Sequence, residues 1–85
     1  MIYEGRVQGV GFRFSVREIA HGYEVAGWVQ NLPDGRVQLE VQGDDSEVEA
    51  FLQGIGDSHL RAHIRRKLIT PIDAAAGLKG FQIRG

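Results

Sequence analysis

A glycine-rich run near the N-terminus holds the residue types that could bind a phosphate group. Residues 5–13 read Gly-Arg-Val-Gln-Gly-Val-Gly-Phe-Arg. Glycine can adopt positive φ angles and lets a ligand approach the backbone closely, and consecutive amides around a concavity bind anions. A guanidinium at the rim can clamp phosphate oxygens with two hydrogen bonds. The run predicts a phosphate-binding loop formed by Gln8, Gly9, Val10, Gly11, Phe12 and Arg13, although a tight strand-to-helix turn would use the same residues.

A second candidate is Asn31, which ends the segment Gly27-Trp28-Val29-Gln30-Asn31. Its side-chain amide can both donate and accept hydrogen bonds, as a residue that handles a polar ligand must. The residues that follow, Pro33-Asp34-Gly35, are typical of a turn, and turn chemistry alone explains an asparagine at this position. The residues by themselves leave both interpretations open. Trp28, in the same segment, is expected to be a core aromatic.

The hydrophobic pattern predicts the elements that position these candidates. A short strand over residues 2–7 leads into the glycine loop, and an amphipathic helix follows it, with apolar residues at Phe12, Val16, Ile19, Ala20 and Tyr23. We expect this helix to end at His21-Gly22, where glycine can supply a left-handed residue. Strands over residues 25–29 and 36–42 then form a hairpin. The loop would thus lie at a helix N-terminus, whose free amides and dipole favour an anion.

The second half of the chain predicts a matching helix and strand. Ser46 and Glu49 fit a helix capping box, with Ser46 as the cap. Apolar residues at helical spacing follow over residues 48–55, and strands are predicted over residues 64–69 and 81–84. The order β-α-β-β-α-β, with the short strand over residues 81–84 added last, predicts one ferredoxin-like α/β (α+β) domain over residues 1–85, in which an antiparallel sheet carries both helices on one face.

Composition excludes several classes of protein. The formal net charge of −1 gives no overall attraction to nucleic acid or to an anionic membrane. There is no cysteine, so disulfides and thiolate sites are impossible, and no apolar run approaches the ~20 residues of a membrane span. We therefore expect a cytoplasmic protein. His59 and His63 are spaced as metal ligands would be on a helix, but no third ligand is evident and we expect no metal site. The basic residues over positions 59–67 suggest no function and are interpreted as a solvated face.

Taken together, the two motifs resemble the acylphosphatase family. The resemblance rests on residues 5–13 and 27–31 in that order, followed by Gly35, Val37 and Gly43 at the family spacing. The similarity is strongest over residues 5–43 and looser beyond them. It implies a small, free-standing enzyme that hydrolyses acyl phosphates to a carboxylate and inorganic phosphate, and that binds only this small-molecule substrate, as a monomer.

The resemblance also implies roles for the candidate residues. Arg13 corresponds to an arginine that binds the phosphoryl group together with the loop amides, and Asn31 to an asparagine that orients the attacking water. Such a sparse site is chemically sufficient, because the leaving carboxylate has a conjugate acid of pKa ~4 and departs without protonation. Phosphoryl transfer then needs mainly positioning and charge stabilisation. We expect neither a metal nor a cofactor.

Two other functions compete with this interpretation. RNA recognition motifs share the order of elements, but their glycine-aromatic run belongs on the third strand, and residues 36–42 contain no aromatic. The second alternative keeps the fold and the loop but not the turnover, as a non-catalytic module that binds phosphate or carbamoyl phosphate. The acylphosphatase-like domain of hydrogenase maturation proteins is the nearest example, but it belongs to much longer chains with zinc-binding cysteine motifs.

Overall fold

Five β-strands and two α-helices build the computed structural model, which describes residues 1–71 and 78–84. The strands lie in the order β4-β1-β3-β2-β5, and neighbours are antiparallel except β2 and β5, which run parallel. The elements are β1 (Ile2–Gly5), α1 (Phe12–Ala20), β2 (Val25–Asn31), β3 (Val37–Gly43), α2 (Asp45–Gly56), a 3₁₀ helix (His59–His63), β4 (Ile64–Leu68) and β5 (Phe81–Arg84). The ferredoxin-like prediction is confirmed. The sheet is nevertheless mixed and not wholly antiparallel, because β5 joins the edge opposite β4 in the direction of β2.

One face of the sheet carries the hydrophobic core. Tyr3 pairs with Val37, and Val29 with Leu39, and each of these four side chains is at most 1% exposed. Alternate residues of a strand point to opposite faces, so these pairs mark the covered face. The same cluster contains residues of both helices, namely Phe12, Val16, Ala20, Phe51 and Ile55. Both helices therefore pack on one face, as the sequence predicted.

Trp28 lies on the other face of the sheet. Its neighbour Val29 points into the core, so strand alternation directs the indole away from the helices. The side chain is only 8% exposed, and the Arg84 guanidinium lies 4.6 Å from the ring centroid. Trp28 is thus a buried aromatic, as the sequence predicted, although it lies outside the cluster that contains the helix residues.

Several element boundaries differ from the sequence prediction by one or two residues, and β2 runs to Asn31 and not to residue 29. Three further differences have a local reason. The first strand ends at Gly5 and not at residue 7, because its pairing with β4 shifts register between Glu4 and Gly5. The capping box is wrong, since α2 begins as soon as β3 ends and Asp44, not Ser46, is the N-cap. Gly22 does not end α1 in a left-handed conformation. Instead the amides of Gly22 and Tyr23 bond the carbonyls of Ile19 and Ala20, three residues back, which tightens the last turn.

Within the described residues, none of the helices has the length and apolar character that crossing a bilayer requires.

Candidate active site

The glycine loop leads into α1 through backbone conformations that glycine adopts more easily than any other residue. Gly9 and Gly11 have φ angles of 77° and 73°, and Gly11 is the N-cap of α1. A Cβ at either position would meet no atom within 4 Å, so glycine is needed for its backbone angle and not for space. Among the described residues, no side chain caps the helix, and its first turn contains no acidic residue. The first amides of α1 thus have no side-chain acceptor and can serve an anion.

The two motifs of the sequence meet at one pocket. Gly9, Gly11 and Arg13 line it from the loop and α1, and Asn31 lines it from the end of β2. Its volume is about 210 Å³, and the remaining lining residues are Val7, Phe12, Phe14 and Ile83. This arrangement follows from the topology. Because β1 and β2 both run antiparallel to β3, they run parallel to each other, and their C-terminal ends lie on the same side of the sheet.

Two of the six predicted loop residues do not line this pocket. The Gln8 side chain turns away from it, and its amide nitrogen donates to the carbonyl oxygens of Leu32 at 2.7 Å and Arg36 at 3.0 Å. Both acceptors belong to the turn between β2 and β3. Val10 is 37% exposed and is not among the residues that line the pocket. The Gln8 side chain thus ties the loop to the turn that follows Asn31.

Arg13 is held at the pocket by the last strand. Its Nη1 donates to the backbone carbonyl oxygen of Arg84 at 2.9 Å. Within residues 1–71 and 78–84, the ion pairs involve other residues, so no carboxylate neutralises the Arg13 charge. A guanidinium has five N–H groups, which leaves several of them for an anion after this bond is made. Arg13 is therefore positioned by a neutral acceptor and keeps its positive charge available.

Asn31 is half-buried at the last position of β2, where it pairs with Val37. The close approach of β2 to β3 depends on Gly27, since a Cβ there would overlap the Glu40 carbonyl oxygen. In the described part of the chain the Asn31 side chain makes no hydrogen bond. Its amide can therefore both donate to and accept from a bound molecule.

The loop also rests on the core. The ring of Phe12, at the start of α1, lies 5.2 Å from that of Tyr3, measured between centroids, and both side chains are at most 2% exposed. Burial raises the pKa of the Tyr3 hydroxyl above its ordinary value, because the phenolate would lose its hydration. The sequence prediction that Phe12 belongs to the apolar side of the first helix is thus confirmed.

The histidines take no part in this pocket. The Nε2 atom of His59 lies 3.2 Å from the Ser15 hydroxyl oxygen, which links the 3₁₀ helix to α1. No group of three or more potential metal ligands occurs in the described ranges 1–71 and 78–84.

Comparison with known proteins agrees with the fold and shows the family. The model of the family described as acylphosphatase matches residues 1–83. The chain belongs to the acylphosphatase family. The acylphosphatase of Geobacillus kaustophilus is 43% identical over 83 residues, which cover 98% of this chain and 88% of that relative.

Solved structures also match the acylphosphatase chain over nearly its full length. The acylphosphatase from Bacillus subtilis gives a TM-score of 0.87 at 32% identity and covers 99% of this chain and 93% of its own. HypF of T. kodakarensis gives a TM-score of 0.82 at 29% identity, also over 99% of this chain, but the match takes in only 11% of HypF. The fold of this acylphosphatase-family chain therefore occurs both alone and within a much larger protein.

Sequence reasoning missed three contributions to the site. A backbone acceptor such as the Arg84 carbonyl cannot be predicted from side-chain identity, because every residue has a carbonyl group. The tethering role of the Gln8 side chain had no signal either, because glutamine is equally common on solvated surfaces. The sequence could have suggested that Phe14 and Ile83 line the pocket. Phe14 lies near the start of α1 and Ile83 near the end of β5, and the topology brings both of these ends to the pocket.

Proposed function

We propose that this chain hydrolyses acyl phosphates to a carboxylate and inorganic phosphate at the pocket formed by the glycine loop, Arg13 and Asn31. The observation that carries the proposal is that the Arg13 guanidinium and the Asn31 amide line the same concavity as two positive-φ glycines. Among the described residues, no carboxylate pairs with Arg13 and no group bonds the Asn31 side chain. Membership of the acylphosphatase family and the names of its relatives support the same reaction.

The phosphoryl group binds with its oxygens against the loop amides and the guanidinium. These donors are in place before the substrate arrives, so they stabilise charge on the equatorial oxygens without reorganising. Asn31 holds a water on the side of the phosphorus opposite the leaving oxygen, accepting from it and keeping a lone pair aimed at phosphorus. Arg13 and the loop therefore bind substrate and transition state, whereas Asn31 contributes to the attack.

The bonds and protons balance without another acid or base. The water oxygen forms a bond to phosphorus while the bond from phosphorus to the acyl oxygen breaks, and that electron pair leaves on the carboxylate. A carboxylate with a conjugate acid of pKa ~4 is a stable leaving group at neutral pH. The proton of the water passes to a phosphoryl oxygen, which is the strongest base near it. The reaction thus needs neither a metal ion nor a cofactor.

We also propose that the enzyme is a cytoplasmic monomer that acts on a small-molecule substrate. The site is built from one chain, so a monomer is sufficient, and the substrate is a small molecule and not a nucleic acid. The lack of cysteine suits a reducing compartment such as the cytoplasm.

A non-catalytic phosphate or carbamoyl phosphate module is the second candidate. It is favoured by the similarity of the whole chain to a small part of HypF. The two candidates share Arg13 and the loop, and they differ in whether Asn31 activates a water.

The decisive experiment is hydrolysis of benzoyl phosphate by the purified chain in excess EDTA, with Arg13→Ala as the control. Turnover that survives chelation and is lost in the variant is the expected result. Saturable binding of inorganic phosphate without turnover would favour the binding module. Turnover that EDTA abolishes and zinc or magnesium restores would contradict the metal-free mechanism.

A further inference from the structure

Phe14 combines an exposed aromatic ring with a place at the site pocket. Its side chain is 55% exposed, yet it lines the same concavity as Arg13 and Asn31. The most exposed large apolar residue in the described ranges is Ile69, at 58%, which lies beyond the end of β4 and does not line this pocket. A singly exposed apolar residue needs no explanation by itself. The position of Phe14 at the pocket does need an explanation.

The ring is held in place by Arg17, one helical turn beyond Arg13. The Arg17 guanidinium carbon lies 5.3 Å from the centroid of the Phe14 ring, a cation–π distance. The Nε atom of Arg17 is buried and has no hydrogen-bond partner within the described residues, so the contact with the ring is not replaced by a polar one. Arg17 thus supports part of the ring, and more than half of the Phe14 side chain remains open to a ligand.

The pocket is divided between a polar and an apolar side. Its polar groups are the loop backbone, Arg13 and Asn31, while Val7 and Phe12 are fully buried and offer little surface. The accessible apolar wall is therefore made by Phe14 on α1 and the half-buried Ile83 on β5. A volume of about 210 Å³ equals roughly seven times the ~30 Å³ that a water occupies in the liquid. The pocket has room for more than a phosphoryl group.

We propose that Phe14, supported by Arg17, is a specificity determinant that binds the acyl group of the substrate and favours aromatic or bulky apolar acyl phosphates over small ones. The inference rests on the proposed function, since it assigns the acyl end of the same substrate. With the phosphoryl group on the polar side, the accessible apolar surface that the described lining residues leave for the acyl group is that of Phe14 and Ile83. Burial of apolar surface against this wall stabilises a benzoyl group and contributes little for an acetyl group.

The test compares benzoyl phosphate and acetyl phosphate in wild type, Phe14→Ala and Phe14→Leu. We expect Phe14→Ala to lower the ratio of kcat/KM for benzoyl over acetyl phosphate about 10-fold, mainly through KM for benzoyl phosphate. Phe14→Leu keeps an apolar side chain and should lower the ratio less. Ile69→Ala is the matched control, because it removes an equally exposed apolar side chain outside the pocket and should leave the ratio unchanged.

A binding measurement separates this inference from the proposed reaction. Phenylphosphonate and methylphosphonate carry the same anionic group and differ in the apolar part, so calorimetry of both measures the acyl subsite without turnover. Wild type should prefer phenylphosphonate, and Phe14→Ala should lose that preference. If wild type hydrolyses neither acyl phosphate but shows this preference, the reaction fails and the apolar subsite stands. Equal losses for both substrates, or an unchanged ratio, would overturn the role of Phe14.

Discussion

The Arg13 guanidinium donates to the backbone carbonyl oxygen of Arg84 at 2.9 Å, across 71 positions of sequence. This bond connects the first turn of α1 to the end of β5 and points the arginine into the pocket. The Arg84 guanidinium in turn lies over Trp28 on the opposite face of the sheet. The orientation of the Arg13 side chain therefore depends on the pairing of β5 with β2.

Replacing Arg13 tests whether the charge or the forked geometry matters. Arg13→Ala should lower turnover at least about 100-fold and weaken inhibition by inorganic phosphate in parallel, because the same donors bind substrate and product. Arg13→Lys keeps the charge but cannot form paired bonds, so it should recover only part of the activity. Arg66→Gln, an exposed arginine on β4, is the control and should behave as wild type. Full activity in Arg13→Lys would show that charge alone suffices.

Asn31 should affect the chemical step more than binding. In Asn31→Ala we expect kcat to fall about 100-fold, while the inhibition constant of inorganic phosphate changes by less than about threefold. In the proposed mechanism the amide orients the attacking water and makes no contact on which phosphate affinity depends. Steady-state kinetics with phosphate as a competitive inhibitor measure both quantities. A parallel loss of affinity would instead make Asn31 a phosphate ligand.

Gly11 should be sensitive because of its backbone angle. Gly11→Ala forces an L-residue into a left-handed conformation, which costs about 1–2 kcal/mol in the free energy of unfolding, and displacement of the loop should weaken phosphate binding. Gly56→Ala is the control, since Gly56 ends α2 with open space around it and no positive φ. That substitution should be neutral or stabilising by up to about 1 kcal/mol. Urea denaturation of both variants checks the contrast, and equal effects would refute the argument.

The basic residues of β4 should protect the edge of the sheet. In the described residues β4 pairs only with β1, and Arg65 and Lys67 are exposed on it. Charged side chains on an edge strand oppose pairing with another molecule. Arg65→Thr combined with Lys67→Thr should therefore increase self-association, measured by light scattering near the unfolding midpoint. Arg61→Thr combined with Lys79→Thr removes the same charge outside the strands and should not. Equal association in both would point to net charge alone.

Burial of Tyr3 should make stability fall at alkaline pH. Its pKa is raised above the ordinary value of 10.0 in the folded state, so between the two values the unfolded chain releases a proton that the folded chain keeps. The stabilisation is complete below pH 10 and declines as the pH rises towards the folded pKa. Tyr3→Phe has no hydroxyl and should lose less stability between pH 9 and 11, as judged by denaturant titrations. Identical slopes for wild type and Tyr3→Phe would contradict the effect of burial.

Local chemistry explains what the sequence determined by itself. The alternation of Val37, Leu39 and Val41 and the helical spacing of Phe12, Val16 and Ala20 fix which side of each element is buried, because these periods are properties of the backbone. Gly9, Gly11, Arg13 and Asn31 could be selected because their side chains, or the lack of one, limit the chemistry and conformations open to them. Helix ends were less predictable, since Asp44 and Ser46 have similar preferences for the cap position and only the end of β3 selects between them.

Tertiary structure decided what depends on contacts between distant segments. The parallel addition of β5 beside β2, the acceptor that Arg84 offers to Arg13, and the tether from Gln8 to the turn after Asn31 all use backbone groups. Every residue carries backbone groups, so the pattern of side chains does not predict which of them form these contacts. The face on which Trp28 lies and the opening of Phe14 onto the pocket were likewise settled by packing. The sequence by itself thus determined the residue types of the candidate site, and the fold determined how they are held together, because orientation arises from long-range backbone hydrogen bonds and packing.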